Sequence, residues 1–285
     1  MPLIPTPLGP LSVTLTGEGP FPLLLWPSVF TDSAIFAPLI PRLAGAARLV
    51  LIDGPGHGAS PGTGKRFTMA DCGAAMLAVM DALSLPRAVA GGVSWGGIAA
   101  AHAALAAPDR IDGVVMMNTP MHLDGQRPGL RARAIVAGAG LAPGAAPFRN
   151  GVARSFFTPA RLAAEPEYAA RFHAMLRGAD RRALGAAVAS VFLNGRPLAE
   201  DLPHLRPPAL ILAGAEDPLY PAETLRAAAA RAPRARFARV PGRHIAPIEA
   251  PDETAHALRG FLAGLAGPGG KGWPLTPERS SLAPT

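Results

Sequence analysis

The stretch Gly92-Val93-Ser94-Trp95-Gly96-Gly97 decides how this chain is read. Residues 87–91 before it form a short apolar run of strand type, and residues 96–107 after it form a small-residue helical run stopped by Pro108. A serine with glycine two positions away on either side, set between strand and helix, is the pattern that lifts a hydroxyl onto a sharp turn. The turn holds the serine in strained dihedrals and presses the strand and helix backbones together, so side chains at 92 and 96 would collide. Gly97 lets the helix approach the sheet. The same turn sets Ser94 at a helix N-terminus, where N–H groups favour developing negative charge.

A serine hydroxyl becomes a nucleophile when a base takes its proton, and that base needs an orienting carboxylate. Seven histidines are available. His57 sits in a glycine-rich loop, where a structural turn role is expected; His102 and His256 fall in helical runs, and His122, His173 and His204 in a middle segment of different character. His244 alone follows a late strand, in Pro241-Gly242-Arg243-His244, and precedes the last helix. C-terminal ends of parallel strands gather on one side of a sheet, so this loop shares an edge with the serine turn. The carboxylate is sought after a strand upstream, in Gly214-Ala215-Glu216-Asp217-Pro218, where Asp217 and Glu216 compete and the shorter Asp217, in a turn beside Pro218, is preferred. The order Ser94, Asp217, His244 is the order this type of fold uses.

Outward from the serine, apolar runs alternate with helical ones. Strands are expected at 11–16, 21–26, 48–52, 113–117, 209–213 and 236–240. Helices are expected at 33–44, 68–83, 222–231 and 252–265, with Thr68 as an N-cap. This rhythm indicates an α/β fold with a mostly parallel central sheet covered by helices on both faces. From 120 to 207 strand-like runs give way to Arg- and Ala-rich helical patterns, including 168–177 and 181–193, which reads as an inserted helical lid. The expected organisation is core at 1–119 and 208–266, lid at 120–207, and a disordered Gly/Pro/Ser-rich tail at 267–285.

Composition narrows the class. Hydrophobic residues make up 49% and charged residues 16%, enough for a substantial core, and no apolar run reaches the ~18 residues of a membrane helix. The first residues lack the basic and apolar regions of a secretory signal, and a single cysteine, Cys72, fits a reducing, cytoplasmic compartment and a packing role. The net charge of +7 comes almost wholly from arginine, with lysine only at 65 and 271. Without a recognition helix, stacking ladder or zinc-ligand spacing, it does not indicate nucleic-acid binding. Between Thr119 and Pro207, twelve arginines face six acids. A basic lid would favour anionic substrates, whereas arginines on solvated helix surfaces give the same count.

With these landmarks in place, residues from about 10 to about 265 resemble the α/β-hydrolase superfamily. The resemblance rests on the serine turn, Asp-Gly-Pro-Gly-His-Gly-Ala-Ser at 53–60, Gly-Ala-Glu-Asp-Pro at 214–218, and the late histidine with Glu249-Ala250-Pro251. The sequence is most similar to the small lidded esterases, enol-lactonases and carbon–carbon bond hydrolases. Serine at 94 sets it apart from branches that use an aspartate nucleophile. The resemblance implies a Ser94–His244–Asp217 triad, no metal and no organic cofactor, and a small ester, lactone or thioester substrate. Carbon–carbon cleavage of a dienone-type product on the same triad is the alternative, and a non-catalytic small-molecule binding protein is the rival from another class.

Two departures from the family pattern stand out. Trp26-Pro27-Ser28 replaces the usual His-Gly after the third strand, and Pro27 has no N–H to offer an oxyanion. The N–H groups of Ser28 and Trp95 are then expected to form the oxyanion hole, with Val29 as the alternative to Ser28. Trp26, Phe30 and Trp95 are expected to shape the pocket. Arg243 stands where glycine commonly precedes the histidine, as a loop arginine or as the partner of an acid or a substrate carboxylate.

Overall fold

The computed structural model describes residues 2–121, 129–193 and 198–266. Eight strands among them form one sheet: β1 (Leu3–Ile4), β2 (Leu11–Thr16), β3 (Phe21–Trp26), β4 (Ala47–Ile52), β5 (Ala88–Val93), β6 (Ile111–Met117), β7 (Ala209–Gly214) and β8 (Ala235–Val240), in the spatial order β1-β2-β4-β3-β5-β6-β7-β8. β1 and β2 pair antiparallel, as do β2 and β4, and every pairing from β4 through β3 to β8 is parallel. The central strands are continuous apolar runs because helices cover both faces; every residue of β5 and β7 is buried.

The helix Met69–Ala82 starts where Thr68 and Asp71 close a capping box, the Thr68 N–H donating to Asp71 at 2.8 Å and the Asp71 N–H to the Thr68 hydroxyl at 3.2 Å. It packs on the helix Trp95–Ala106 so tightly that a side chain at Gly73 would lie 2.7 Å from the Ala103 nitrogen. Cys72 is buried there, and burial pushes its thiol up to about 12, so it stays protonated and packs. The single helix expected over 33–44 is instead a 3₁₀ turn, Ser33–Phe36, followed by a short helix, Leu39–Leu43. Pro38 has no N–H to continue the hydrogen-bond ladder, and the break falls there.

Between β6 and β7 the described residues form helices and no strand: Leu130–Leu141, Ala146–Phe156, Pro159–Ala164, Pro166–Gly178, Arg181–Leu193 and Leu198–Asp201. The first and fifth of these approach at glycines, where a side chain at Gly185 would lie 2.9 Å from the Gly140 Cα. Only Ala139 is buried in Leu130–Leu141 and nothing is buried in Pro159–Ala164, so neither helix writes an apolar period into the sequence. The tail expected at 267–285 lies outside the described residues. No helix among the described residues is long and apolar enough to cross a membrane.

Candidate active site

The C-terminal ends of β3, β5, β6, β7 and β8 deliver one loop each to the same rim of the sheet. Four non-glycine residues have φ in the left-handed region among the described residues, and three lie on this rim: Phe30 at 66° after β3, Ser94 at 54° after β5, and Asn118 at 49° after β6. Strain of this kind persists where the surroundings over-determine it. Ser94 shows how. Its N–H donates to the Met117 carbonyl at 2.8 Å and its carbonyl accepts from Gly97 at 3.0 Å, so the turn is fixed at both ends. A side chain at Gly96 would overlap the Trp26 carbonyl, one at Gly92 would lie 2.6 Å from the Gly96 Cα, and one at Gly97 would overlap the Thr119 hydroxyl. Glycine is required at all three.

Asp217, after β7, is buried with four hydrogen bonds on its carboxylate. His244 Nδ1 and Asn118 Nδ2 each donate to Oδ2 at 2.9 Å, and the N–H groups of Leu219 and Tyr220 donate to Oδ1 at 2.8 and 3.3 Å. Burial alone would raise its pKa. The charge and hydrogen bond of His244, with the bonds from Asn118 and Leu219, outweigh burial and hold it below the ordinary carboxylate value. Glu216, its competitor in the sequence, is exposed, and its N–H donates to the Gly242 carbonyl at 2.9 Å. With Asp217 accepting, the Nδ1 proton is fixed by the hydrogen-bond network, and Nε2 is left as the basic nitrogen.

His244 is 1% exposed and sits between the rings of Phe156 at 5.0 Å and Tyr220 at 5.5 Å. Its loop is tied to the helical segment. The His244 N–H donates to the Phe156 carbonyl at 3.1 Å, Glu249 accepts from the N–H groups of Arg243 and Thr158, both at 3.1 Å, and the Arg243 guanidinium bonds the Arg154 and Phe157 carbonyls. Arg243 therefore caps the last turn of Ala146–Phe156; those carbonyls have no partner within the helix.

Ser94 and His244 line one cavity of about 640 Å³, with Val29, Phe30, Ile135, Phe148, Phe192 and Tyr220 among its walls and Arg131 as a charged group at its margin. Of the described histidines only His244 reaches it; His122 lies outside the described residues. Phe30 stands where the sequence reading put it, but Trp26 and Trp95 do not line the cavity. Their indoles pack edge to face at 5.2 Å beneath the rim, Trp95 donates to the Cys72 sulfur at 3.4 Å, and Gly54 leaves room for both rings. Large flat side chains filled the space under the turn instead of the space above it. Ser28 is likewise fully buried away from the cavity, while Val29 lines it. Sequence reasoning missed Asn118 altogether. A polar residue just past a parallel strand was the available signal.

A family model for the alpha/beta hydrolase fold matches residues 22–251. This chain belongs to that family. A pimeloyl-[acyl-carrier protein] methyl ester esterase of Xanthomonas campestris pv. campestris (strain B100) is 32% identical over 269 residues, covering 90% of this chain and 100% of that protein. The 3-oxoadipate enol-lactonase 2 of Acinetobacter baylyi is 26% identical over 216 residues, 75% of this chain and 78% of that protein. The crystal structure of the enol-lactonase from Burkholderia xenovorans LB400 superposes with a TM-score of 0.83 at 25% identity, covering 92% of this chain and all of that one. This chain is thus an α/β-fold hydrolase of the esterase and lactonase type.

Proposed function

We propose that this hydrolase cleaves a small carboxylic ester, lactone or thioester through a covalent acyl-enzyme on Ser94. The observation that carries the reading is the buried 2.9 Å contact of His244 with Asp217, on a histidine that shares a cavity with the strained Ser94. His244 Nε2 takes the Ser94 proton as Oγ attacks the carbonyl carbon. The imidazolium, supported by Asp217, returns that proton to the leaving group, and water repeats the cycle to free the acid. The oxyanion donors are the N–H groups of Trp95 and Val29. Trp95 begins its helix, so its N–H has no helical partner. Val29 replaces Ser28 in this role because it faces the cavity, while the neighbouring Phe30 N–H is already bonded. Such a donor contributes about 3 kcal/mol to the transition state.

The helical segment between β6 and β7 serves as the lid, walling the cavity with Ile135, Phe148 and Phe192. The mostly apolar lining suits an acyl chain, and Arg131 at the margin favours a substrate carrying an anionic group. A fluorophosphonate probe tests the chemistry: wild type is labelled at Ser94, and Ser94→Ala is neither labelled nor active on activated esters. Wild-type protein that resists the probe and leaves every nitrophenyl ester intact would end the proposal. A panel of acyl esters with and without a terminal carboxylate, run on Arg131→Ala, tests the substrate class.

A further inference from the structure

We propose that His57 is a positioning residue for the oxyanion hole, acting as a buried hydrogen-bond acceptor that locks the loop after β3 in its strained conformation. The inference rests on the acyl-transfer reading above and on three features of the loop. Phe30 holds a left-handed φ of 66°, a region that a side-chain-bearing residue adopts only under strain, so the loop needs an external restraint to stay there. The Phe30 N–H donates to His57 Nε2 at 3.1 Å inside the protein. The His57 ring is fixed in turn, its Nδ1 lying 3.1 Å from the Pro55 carbonyl, an acceptor only; the proton therefore sits on Nδ1 and the Nε2 lone pair faces the loop.

Other bonds complete the cradle. The Ser28 carbonyl accepts from the Thr31 N–H at 3.1 Å and the Thr31 hydroxyl at 2.8 Å, closing the turn, and Asp53 Oδ1 accepts from the Ser33 N–H at 2.8 Å beyond it. Val29 lies inside this turn, and among the described residues its N–H meets no acceptor, which leaves it to the cavity. The His57 ring also packs 5.4 Å from the indole of Trp95, the residue whose backbone N–H is the second donor. One buried, 1% exposed imidazole thus touches the residue after one donor and the side chain of the other. Burial pushes its pKa down against the pull of Pro55, Asp53 and Asp32, which keeps the accepting neutral form populated. A glycine in place of Phe30 would reach the same φ without help, but here the hydrogen bond fixes what the residue type opposes.

The test compares His57→Phe, which keeps a flat ring and loses the acceptor, with His57→Gln, whose amide can accept from Phe30 and donate to Pro55. His57→Phe is expected to lose about 10- to 100-fold in kcat with KM within about twofold, since misplacing a donor by a fraction of its reach acts on the transition state. Affinity for a boronic acid that mimics the tetrahedral intermediate falls by the same factor, and affinity for the product acid does not. His57→Gln recovers most of the loss. Imidazole ¹⁵N NMR on wild type is expected to show the proton on Nδ1. Unchanged kcat in folded His57→Phe, equal damage in both variants, or a protonated Nε2 in wild type would each overturn the proposal. Fluorophosphonate labelling of the same samples separates the two failures: an unlabelled wild type sinks the acyl-transfer reading, whereas labelled wild type with an indifferent His57 sinks this one alone.

Discussion

The β5 turn with its helix and the helical segment between β6 and β7 face each other across one cavity, yet they are built on opposite rules. In Ala88–Val93 and Trp95–Ala106 nearly every side chain is buried, small residues let backbones touch, and all four glycines, Gly91, Gly92, Gly96 and Gly97, lack room for a Cβ. In Leu130–Leu141 and Pro159–Ala164 one residue in all is buried. The first region holds Ser94 in a turn with no spare room, and the second supplies apolar surface to the cavity. Chemistry is expected to reside in the first and selection in the second.

Substitutions on the sheet rim should therefore act on kcat, and substitutions in the helical segment on KM. The largest expected loss is Asp217→Asn, about 10⁴-fold in kcat with KM little changed, because the amide no longer holds the reactive imidazole tautomer; steady-state kinetics on a nitrophenyl ester measures it. Next, Gly96→Ala drives a methyl into the Trp26 carbonyl and should cost about 1–3 kcal/mol in denaturant unfolding together with loss of Ser94 labelling. Asn118→Gly, which keeps the backbone at ease at φ 49°, removes one donor from Asp217 and should lower kcat about 10-fold or more. In the opposing region, Phe148→Ala should raise KM for a long-chain ester several-fold, about 1 kcal/mol of apolar contact, and leave kcat for an acetyl ester unchanged. A kcat collapse in Phe148→Ala would break the contrast.

The smallest effect tests the rim by pH. The folded pKa of His57 lies below its unfolded value, so below about pH 6.5 the unfolded chain binds a proton that the native chain refuses. Stability is full above that value and declines as the pH falls through it. The Tm of wild type should drop between about pH 7.5 and about pH 5.5, and His57→Gln should drop by less. Asp217 shifts in the same direction, its folded pKa held below the ordinary carboxylate value, so its contribution is also lost as the pH falls, at more acidic pH than that of His57.

Much of the rim could be read from the chain. Gly92, Gly96 and Gly97 are local demands of one sharp turn, and Thr68 with Asp71 closes a cap within four residues, so neighbours in sequence carried the information. The sequence reading also took Asp217 over Glu216 from chain length and a following proline, the same residue that the structure places against His244. It erred where distant segments compete for space. Trp26 and Trp95 are expected from the sequence to shape the pocket, whereas the fold packs their indoles against each other and Gly54, with Trp95 also meeting Phe67 and Cys72. Arg243, read from the sequence as a loop arginine or as the partner of an acid or a substrate carboxylate, instead bonds the Arg154 and Phe157 carbonyls at the end of Ala146–Phe156, nearly ninety positions earlier.

The amino-acid sequence by itself determined the sheet with its covering helices and the serine turn, and it set Ser94, Asp217 and His244 after successive strands, because periodicity and glycine crowding act over a few residues. The tertiary structure alone decided which donors hold Asp217, which residues of the loop after β3 line the cavity, and how the helical segment is tied to the His244 loop. Those contacts join residues 27 to about 100 positions apart, and only the packed sheet, which gathers the strand ends on one rim, brings them within hydrogen-bonding distance.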